Sequence, residues 1–230
     1  MTFDCRAHGE TQCKKEEDSL SLDRLSDDLL ELLDILYPSG HADLCLVGHS
    51  LGGAVVVDFA QKYKKPILGI VVVDIVEELA LESLSSMEGY LRKRPISFQS
   101  KQAAVQWATE SKLLRNAISA ENSIPSQLLQ VGNEFKWRTD LAKSKLHWNG
   151  WFQNLSFKFL SCRAAKLLIL AGTDRLDKTL MIGQMQGKFK LEVFANVGHN
   201  VQEDDPSRFA ESLLSFWNRN QRLQLPIRKQ

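Results

Sequence analysis

The chain has 230 residues, 43% apolar and 25% charged, an ordinary globular composition that excludes disorder for the bulk of it. Twenty-nine Lys and Arg against 28 Asp and Glu leave a formal net charge of +1, so no overall field draws nucleic acid or an anionic membrane. The longest apolar stretch, Ile67 to Val76, is broken by Asp74 and is about half a bilayer span, so no membrane helix is expected. Met1 to Arg6 lack the basic-then-apolar pattern of a secretory signal, and Cys5, Cys13, Cys45 and Cys162 form no C-x-x-C pair. Free thiols in a cytoplasmic or nuclear protein are expected.

The mixed-sign run Lys14 to Asp18 reads as a solvated loop. From Leu22 to Leu36 apolar residues recur at spacings of three and four, an amphipathic helix that stops before Pro38-Ser39-Gly40. Short apolar runs at Leu44 to Val47, Ile67 to Val73, Lys166 to Ala171 and Lys190 to Phe194 read as buried parallel strands. Ala54 to Tyr63 suits a helix joining the first two strands, and a last helix spans about Pro206 to Asn220, with Phe209, Leu213, Leu214 and Trp217 on one face. Strands alternating with helices imply an α/β fold with a mainly parallel sheet. The stretch from Glu77 to about Leu160 breaks the rhythm at helical spacing and reads as a helical lid or docking insertion in a single domain. The core would then be residues 1–76 and 161–230. Such an insertion would lie over the carboxyl ends of the strands, where open α/β sheets bind ligands.

Gly48-His49-Ser50-Leu51-Gly52 follows one of these strands and precedes a helix, the context that G-x-S-x-G requires. Glycines two before and two after the serine permit a sharp strand-to-helix turn. At its tip Ser50 is exposed at a helix N-terminus, where the Leu51 amide can donate to a developing oxyanion. A base is expected late in the chain after the final strand, and His199 in Asn196-Val197-Gly198-His199-Asn200 fits. Two strand ends offer an acid: Asp74 after Val73, and Asp174 in Gly172-Thr173-Asp174. Position alone favours Asp174, and spacing does not decide.

At these residues the sequence resembles the protein phosphatase methylesterase family, serine esterases of the α/β-hydrolase fold. The likeness rests on Leu46 to Ala54, Val73 to Glu77, Leu91-Arg92-Lys93-Arg94-Pro95, Trp137-Arg138 with Leu141-Ala142-Lys143, Gly150-Trp151-Phe152, Ala171 to Lys178, Ile182 to Lys188 and Gly198-His199. The resemblance implies Ser50 as nucleophile, His199 as base and Asp74 as acid, over the positional preference for Asp174. It implies a substrate, the methyl ester on the C-terminal leucine of the catalytic subunit of type 2A protein phosphatases, and chemistry that needs no metal or organic cofactor. It also implies a phosphatase-docking surface in the insertion, with Arg92, Lys93 and Arg94 as a basic cluster and Trp137, Trp148 and Trp151 as anchors.

By the same resemblance, Phe3 to Thr11 is similar to the D-x-R-x-H-G-x-T segment that closes the fourth strand of the fold. The earlier strands, and the H-G-G-G-type loop that supplies a second oxyanion donor, would precede it. An N-terminally truncated α/β-hydrolase fold is thus expected, with Thr2 to Arg6 as a strand lacking its neighbour, low stability and esterase activity near background. Two other readings compete: a phosphatase-binding protein without efficient turnover, and a general carboxylesterase for small esters.

Overall fold

A computed structural model describes residues 1–11, 20–40, 43–63, 65–173 and 175–222. Helix α1 (Leu22–Leu36) starts at Ser21, whose side chain accepts from the Arg24 amide, and buries Leu25, Leu29 and Leu33 on one face. Strand β1 (Cys45–His49) leads into α2 (Leu51–Lys62), and β2 (Gly69–Val73) follows with all five residues buried. The chain then leaves the sheet through α3 (Glu77–Lys93), β3 (Ser97–Phe98), α4 (Lys101–Glu110), α5 (Ala117–Ser123), β4 (Leu128–Val131), β5 (Glu134–Trp137), α6 (Trp148–Trp151) and α7 (Leu155–Ser161). It returns as β6 (Ala165–Ala171), α8 (Lys178–Met185), β7 (Lys190–Phe194), α9 (Val201–Asp204) and α10 (Pro206–Arg222).

The main sheet is parallel, in the order β1-β2-β6-β7, with Cys45 beside Gly69, Gly69 beside Ala165 and Leu167 beside Lys190. Side chains alternate across a strand, so β2 feeds two cores. Ile70 and Val72 join Leu46, Leu168 and Leu170 under α1, α2 and α7, while Val71 and Val73 join Leu167, Ile169 and Phe194 under Phe216 of α10. Asp58 of α2 ties the first layer together, accepting from Ser26 of α1 at 2.8 Å and from Lys158 of α7 at 2.6 Å.

Three expectations are corrected here. The insertion is not helical throughout, because β3, β5 and β4 form an antiparallel sheet whose β4–β5 turn passes through Gly132 at φ 61°. With Phe98, Ala104, Val105, Leu114, Ile124 and Leu128 it has a small core of its own. Its last part is not lid: Trp148 and Trp151, expected as docking anchors, are 6% and 8% exposed and belong to the main core with Phe152, Leu155 and Phe159. Their indole N–H groups donate inward, to Ser144 Oγ at 2.8 Å and to the Leu20 carbonyl at 2.7 Å. Finally, Thr2 to Arg6 is not a strand. Asp4 is turned back to accept the Glu10 amide, Arg6 binds Asp28 of α1, and Ala7 and Gly9 take positive φ, so the segment coils instead of extending. Among the described residues nothing pairs with the outer edge of β1.

Candidate active site

Four strand ends build the site. At the end of β1 the chain makes an elbow in which Ser50 has φ 51° and ψ −119°, outside the regions that side chains ordinarily tolerate. The Ser50 amide donates to the Val73 carbonyl at 2.9 Å, which fastens the elbow to the end of β2. A Cβ on Gly48 would stand 2.1 Å from the Gly52 carbonyl oxygen, so only glycine fits there. The expected requirement at Gly52 is different: a Cβ there meets nothing within 4 Å, whereas one on Gly53 would press on Ile75 and Val72 at 2.9 and 3.1 Å. The crowded pair is therefore Gly48 and Gly53. Leu51 opens α2, among the first-turn amides that no carbonyl of the helix can reach.

Asp74 follows β2 at φ 50° and is held by β6 on two sides. Its amide donates to the Ile169 carbonyl at 2.7 Å, and its Oδ1 accepts the Ala171 amide at 2.8 Å. The free oxygen, Oδ2, lies 2.8 Å from His199 Nδ1. An ionised carboxylate only accepts, so Nδ1 carries the proton and Nε2 keeps a lone pair. Asp174, the alternative acid, lies outside the described residues.

His199 stands on the loop after β7, and its placement depends on groups that sequence reading passed over. Asp204 of α9 accepts the Gly198 amide with one oxygen and the Arg115 amide of the insertion with the other, each at 2.6 Å. Asn200 donates to the Leu113 carbonyl at 2.9 Å. The loop is thus clamped from the insertion side. From the elbow side, the His49 ring lies 4.5 Å from the His199 ring, and its Nε2–H donates to the His199 carbonyl at 2.7 Å. Burial, and next the repulsion that a protonated His199 would exert, push the His49 imidazole down to about 4, so it is neutral and suited to this donation. The only sequence signal for His49 is its adjacency to the nucleophile position, and Asp204 has none beyond following His199 closely. Among the described residues Ser50 Oγ makes no hydrogen bond, and His199 presents an imidazole 54% exposed.

A cavity of about 320 Å³ adjoins the Asp74–His199 pair, walled by Ile75, Val76, Leu79 and Leu170, with Arg175 at its side. Such a wall suits an apolar side chain next to an ester. Of the expected docking cations, Arg92 is 77% exposed beside Glu88, whereas Arg94 lies over the Trp137 ring at 4.0 Å. Neighbours in sequence, they occupy different surroundings.

Comparison with known proteins places this geometry. The family model for the alpha/beta hydrolase fold matches residues 1–206. The chain is similar to protein phosphatase methylesterase 1 of Schizosaccharomyces pombe, 46% identical over 98% of this chain and 67% of that one. It is 44% identical to the protein of that name from Emericella nidulans and 46% identical to the one from Yarrowia lipolytica, over 99% and 97% of this chain. It spans 61% and 54% of the length of those two relatives. Among solved structures it is similar to E-2-(acetamidomethylene)succinate hydrolase, with a TM-score of 0.80 at 21% identity over 94% of this chain and 80% of that one. An esterase from Mycobacterium tuberculosis superposes with a TM-score of 0.71 at 21% identity, over 94% and 73% of the two chains. Those two likenesses bear on the fold alone. Identity above two fifths along nearly the whole chain, on the matching architecture, makes this chain a member of the protein phosphatase methylesterase family of α/β hydrolases.

Proposed function

We propose that this chain carries the catalytic centre of a serine carboxylesterase that removes the methyl ester from the C-terminal leucine of a type 2A protein phosphatase catalytic subunit. The reading is carried by one observation, the 2.8 Å contact of His199 Nδ1 with Asp74 Oδ2 beside the Ser50 elbow, and is supported by the names of the relatives. In this scheme His199 Nε2 takes the Ser50 proton as Oγ bonds to the ester carbonyl carbon. The Leu51 amide donates to the oxyanion, and His199 returns the proton to the departing methoxide, which leaves as methanol. Water then adds to the acyl-enzyme by the same proton relay and frees Ser50 and the leucine carboxylate. Asp74 holds the imidazole tautomer throughout. The Ile75, Val76, Leu79 and Leu170 side of the cavity beside His199 would seat the leucine side chain, and the exposed Arg92 would face the phosphatase. A cytoplasmic or nuclear location is part of the same proposal, resting on the thiol content; no helix among the described residues is long and apolar enough to cross a membrane.

The test combines labelling by a serine-directed fluorophosphonate with methanol release from a methyl-esterified C-terminal phosphatase peptide. Labelling should occur with the chain, and methanol release with a protein of the relatives' length while the 230 residues alone stay near background; both should vanish in Ser50→Ala. Labelling without methanol release from the peptide, but with hydrolysis of small aryl esters, would make it a general esterase. Capture of the phosphatase subunit with no labelling would make it a binding protein.

A further inference from the structure

A larger cavity, about 680 Å³, opens where the insertion meets the N-terminal turns, and it contains neither Ser50 nor His199. Ligand pockets typically measure about 300–1,000 Å³. Arg94, Lys101, Trp137 and Arg138 form the insertion side of its wall, and Asp4, His8 and Glu10 the other. The Nε atoms of Arg94 and Arg138 are both buried, and neither has a hydrogen-bond partner. A buried donor on a charged group left without an acceptor costs free energy that the fold must offset elsewhere, so two of them on one wall call for an explanation.

The cavity's own acids do not supply one. Asp4 is spent on the turn opposite: its carboxylate accepts the Glu10 amide, and a Cβ on Gly9 would stand only 2.0 Å from it. Among the described residues no ion pair engages Arg94, Lys101 or Arg138. Burial also works against the charge on the Arg94 guanidinium, with Tyr90 acting in the opposite direction.

Arg94 is nevertheless held in place, and the backbone that carries Arg138 is anchored. The Arg94 guanidinium stacks on Trp137 at 4.0 Å, and that indole is fixed by its N–H bond to the Pro95 carbonyl at 2.9 Å and by the edges of Phe98 and Trp107. Arg138 is anchored through its amide to the Gln127 carbonyl at 2.9 Å, and the next residue, Thr139, donates to the Ala7 carbonyl across the cavity mouth. The stacked guanidinium of Arg94, with a second guanidinium at Arg138 on backbone tied to Gln127, suits the planar, multi-oxygen geometry of carboxylate and phosphate. Preorganisation of this kind lowers the cost of binding.

We propose that this cavity is a binding site for an oxyanion, a carboxylate or phosphate group gripped between Arg94 and Arg138. The inference stands apart from the esterase reading, since it uses neither the elbow nor the imidazole. The anion can come from an acidic protein segment or from a free phosphate, and titration calorimetry on the full chain with inorganic phosphate and with a capped triglutamate peptide separates these sources. At least one probe should bind with a dissociation constant below about 1 mM. Arg94→Gln and Arg138→Gln should each weaken that binding about tenfold, and Arg92→Gln, outside the cavity, should leave it unchanged. Preference for the peptide assigns the site to protein, and preference for phosphate assigns it to the free anion. Should either arginine variant fail to show a cooperative melt, Lys101→Gln, at the exposed N-terminal end of α4, replaces it with an expected loss of about threefold. Binding of both probes weaker than about 1 mM, or equal weakening by Arg92→Gln, overturns the proposal.

Discussion

Ser50, Asp74 and Asn196 all sit at positive φ, and each marks a place where the chain turns sharply at the carboxyl end of a strand. Conformations of this kind cost roughly 1–3 kcal/mol each and persist only where surrounding bonds over-determine them. Here those bonds are the Ser50 amide on Val73, the Asp74 amide on Ile169 and the two amides held by Asp204. Because Asp74 Oδ1 is occupied by the Ala171 amide, Oδ2 alone is left for the imidazole. Asp74→Asn can place an amide N–H toward His199 and favour the wrong tautomer, so kcat should fall by about 10⁴ with KM little changed. A loss under tenfold in steady-state assays would remove Asp74 from the relay. His49 gives a different signature. Its imidazole titrates near 4 in the folded chain and near 6.5 when unfolded. Between those values the unfolded state binds a proton that the folded state refuses, so stability falls as pH drops from about 6.5 to about 4, by on the order of 3 kcal/mol. His49→Asn should flatten this part of the stability–pH curve, read from urea melts at pH 7 and 5. An unchanged slope would show that other groups govern it.

The elbow and the histidine loop, taken as elements, are stabilised in opposite ways. The elbow works by steric exclusion. Gly48→Ala drives a methyl group into the Gly52 carbonyl and should destabilise the chain by more than about 3 kcal/mol, whereas Gly52→Ala enters open space in the first turn of α2 and should shift stability by no more than about 1 kcal/mol. Thermal melts of the two variants check this, and equal losses would contradict the assignment of the crowded position. The histidine loop works by hydrogen bonding. Asp204 bridges Gly198 and Arg115, so the position of His199 is linked to the insertion. Asp204→Ala should lower kcat on a small aryl ester by about ten- to a hundredfold while KM changes little, through misplacement of the imidazole. Asp204→Asn, which keeps one acceptor, should recover part of that loss. If both variants lose activity only in proportion to lost folded protein, Asp204 is a structural clamp and nothing more.

At the scale of the whole molecule, the parallel sheet is covered on both faces at β2 and β6, but at β1 the face that carries Val47 is open and, among the described residues, the outer edge is unpaired. Val47 there is 44% exposed, and among the described residues no strand lies beyond it. Unpaired edges with apolar side chains template association between chains. Val47→Lys should therefore reduce concentration-dependent self-association, measured by light scattering, without changing fluorophosphonate labelling of Ser50. Association that is insensitive to this substitution would locate the contact elsewhere. The two aromatic groups of the insertion also divide at this scale. Phe98, Trp107 and Trp137 pack within the insertion, while Trp148 and Trp151 are buried in the main core, Trp151 also donating to the Leu20 carbonyl.

What the sequence determined by itself was local. Helix α1, the buried strands β2 and β6, and the strand-turn-helix at Ser50 follow from side-chain periodicity and glycine sterics that act over a few residues. The choice of a serine nucleophile with a late histidine followed from the same local patterns, and resemblance then preferred Asp74 where spacing left two acids open. Only the tertiary structure decided which groups meet. Asp74 and His199 are 125 residues apart, and they touch because β2, β6 and β7 are consecutive in the sheet and deliver their loops to one end. The fate of Trp148 and Trp151 was equally illegible, since an aromatic residue at helical spacing suits a docking face and a core alike until its neighbours are known. The β4–β5 hairpin escaped because four-residue strands hold too few alternations to stand out, although Gly132-Asn133 between them is a hairpin turn signal. The roles of Asp204 and His49 depend on backbone amides and carbonyls presented by distant loops, and backbone groups carry no mark in an amino-acid sequence.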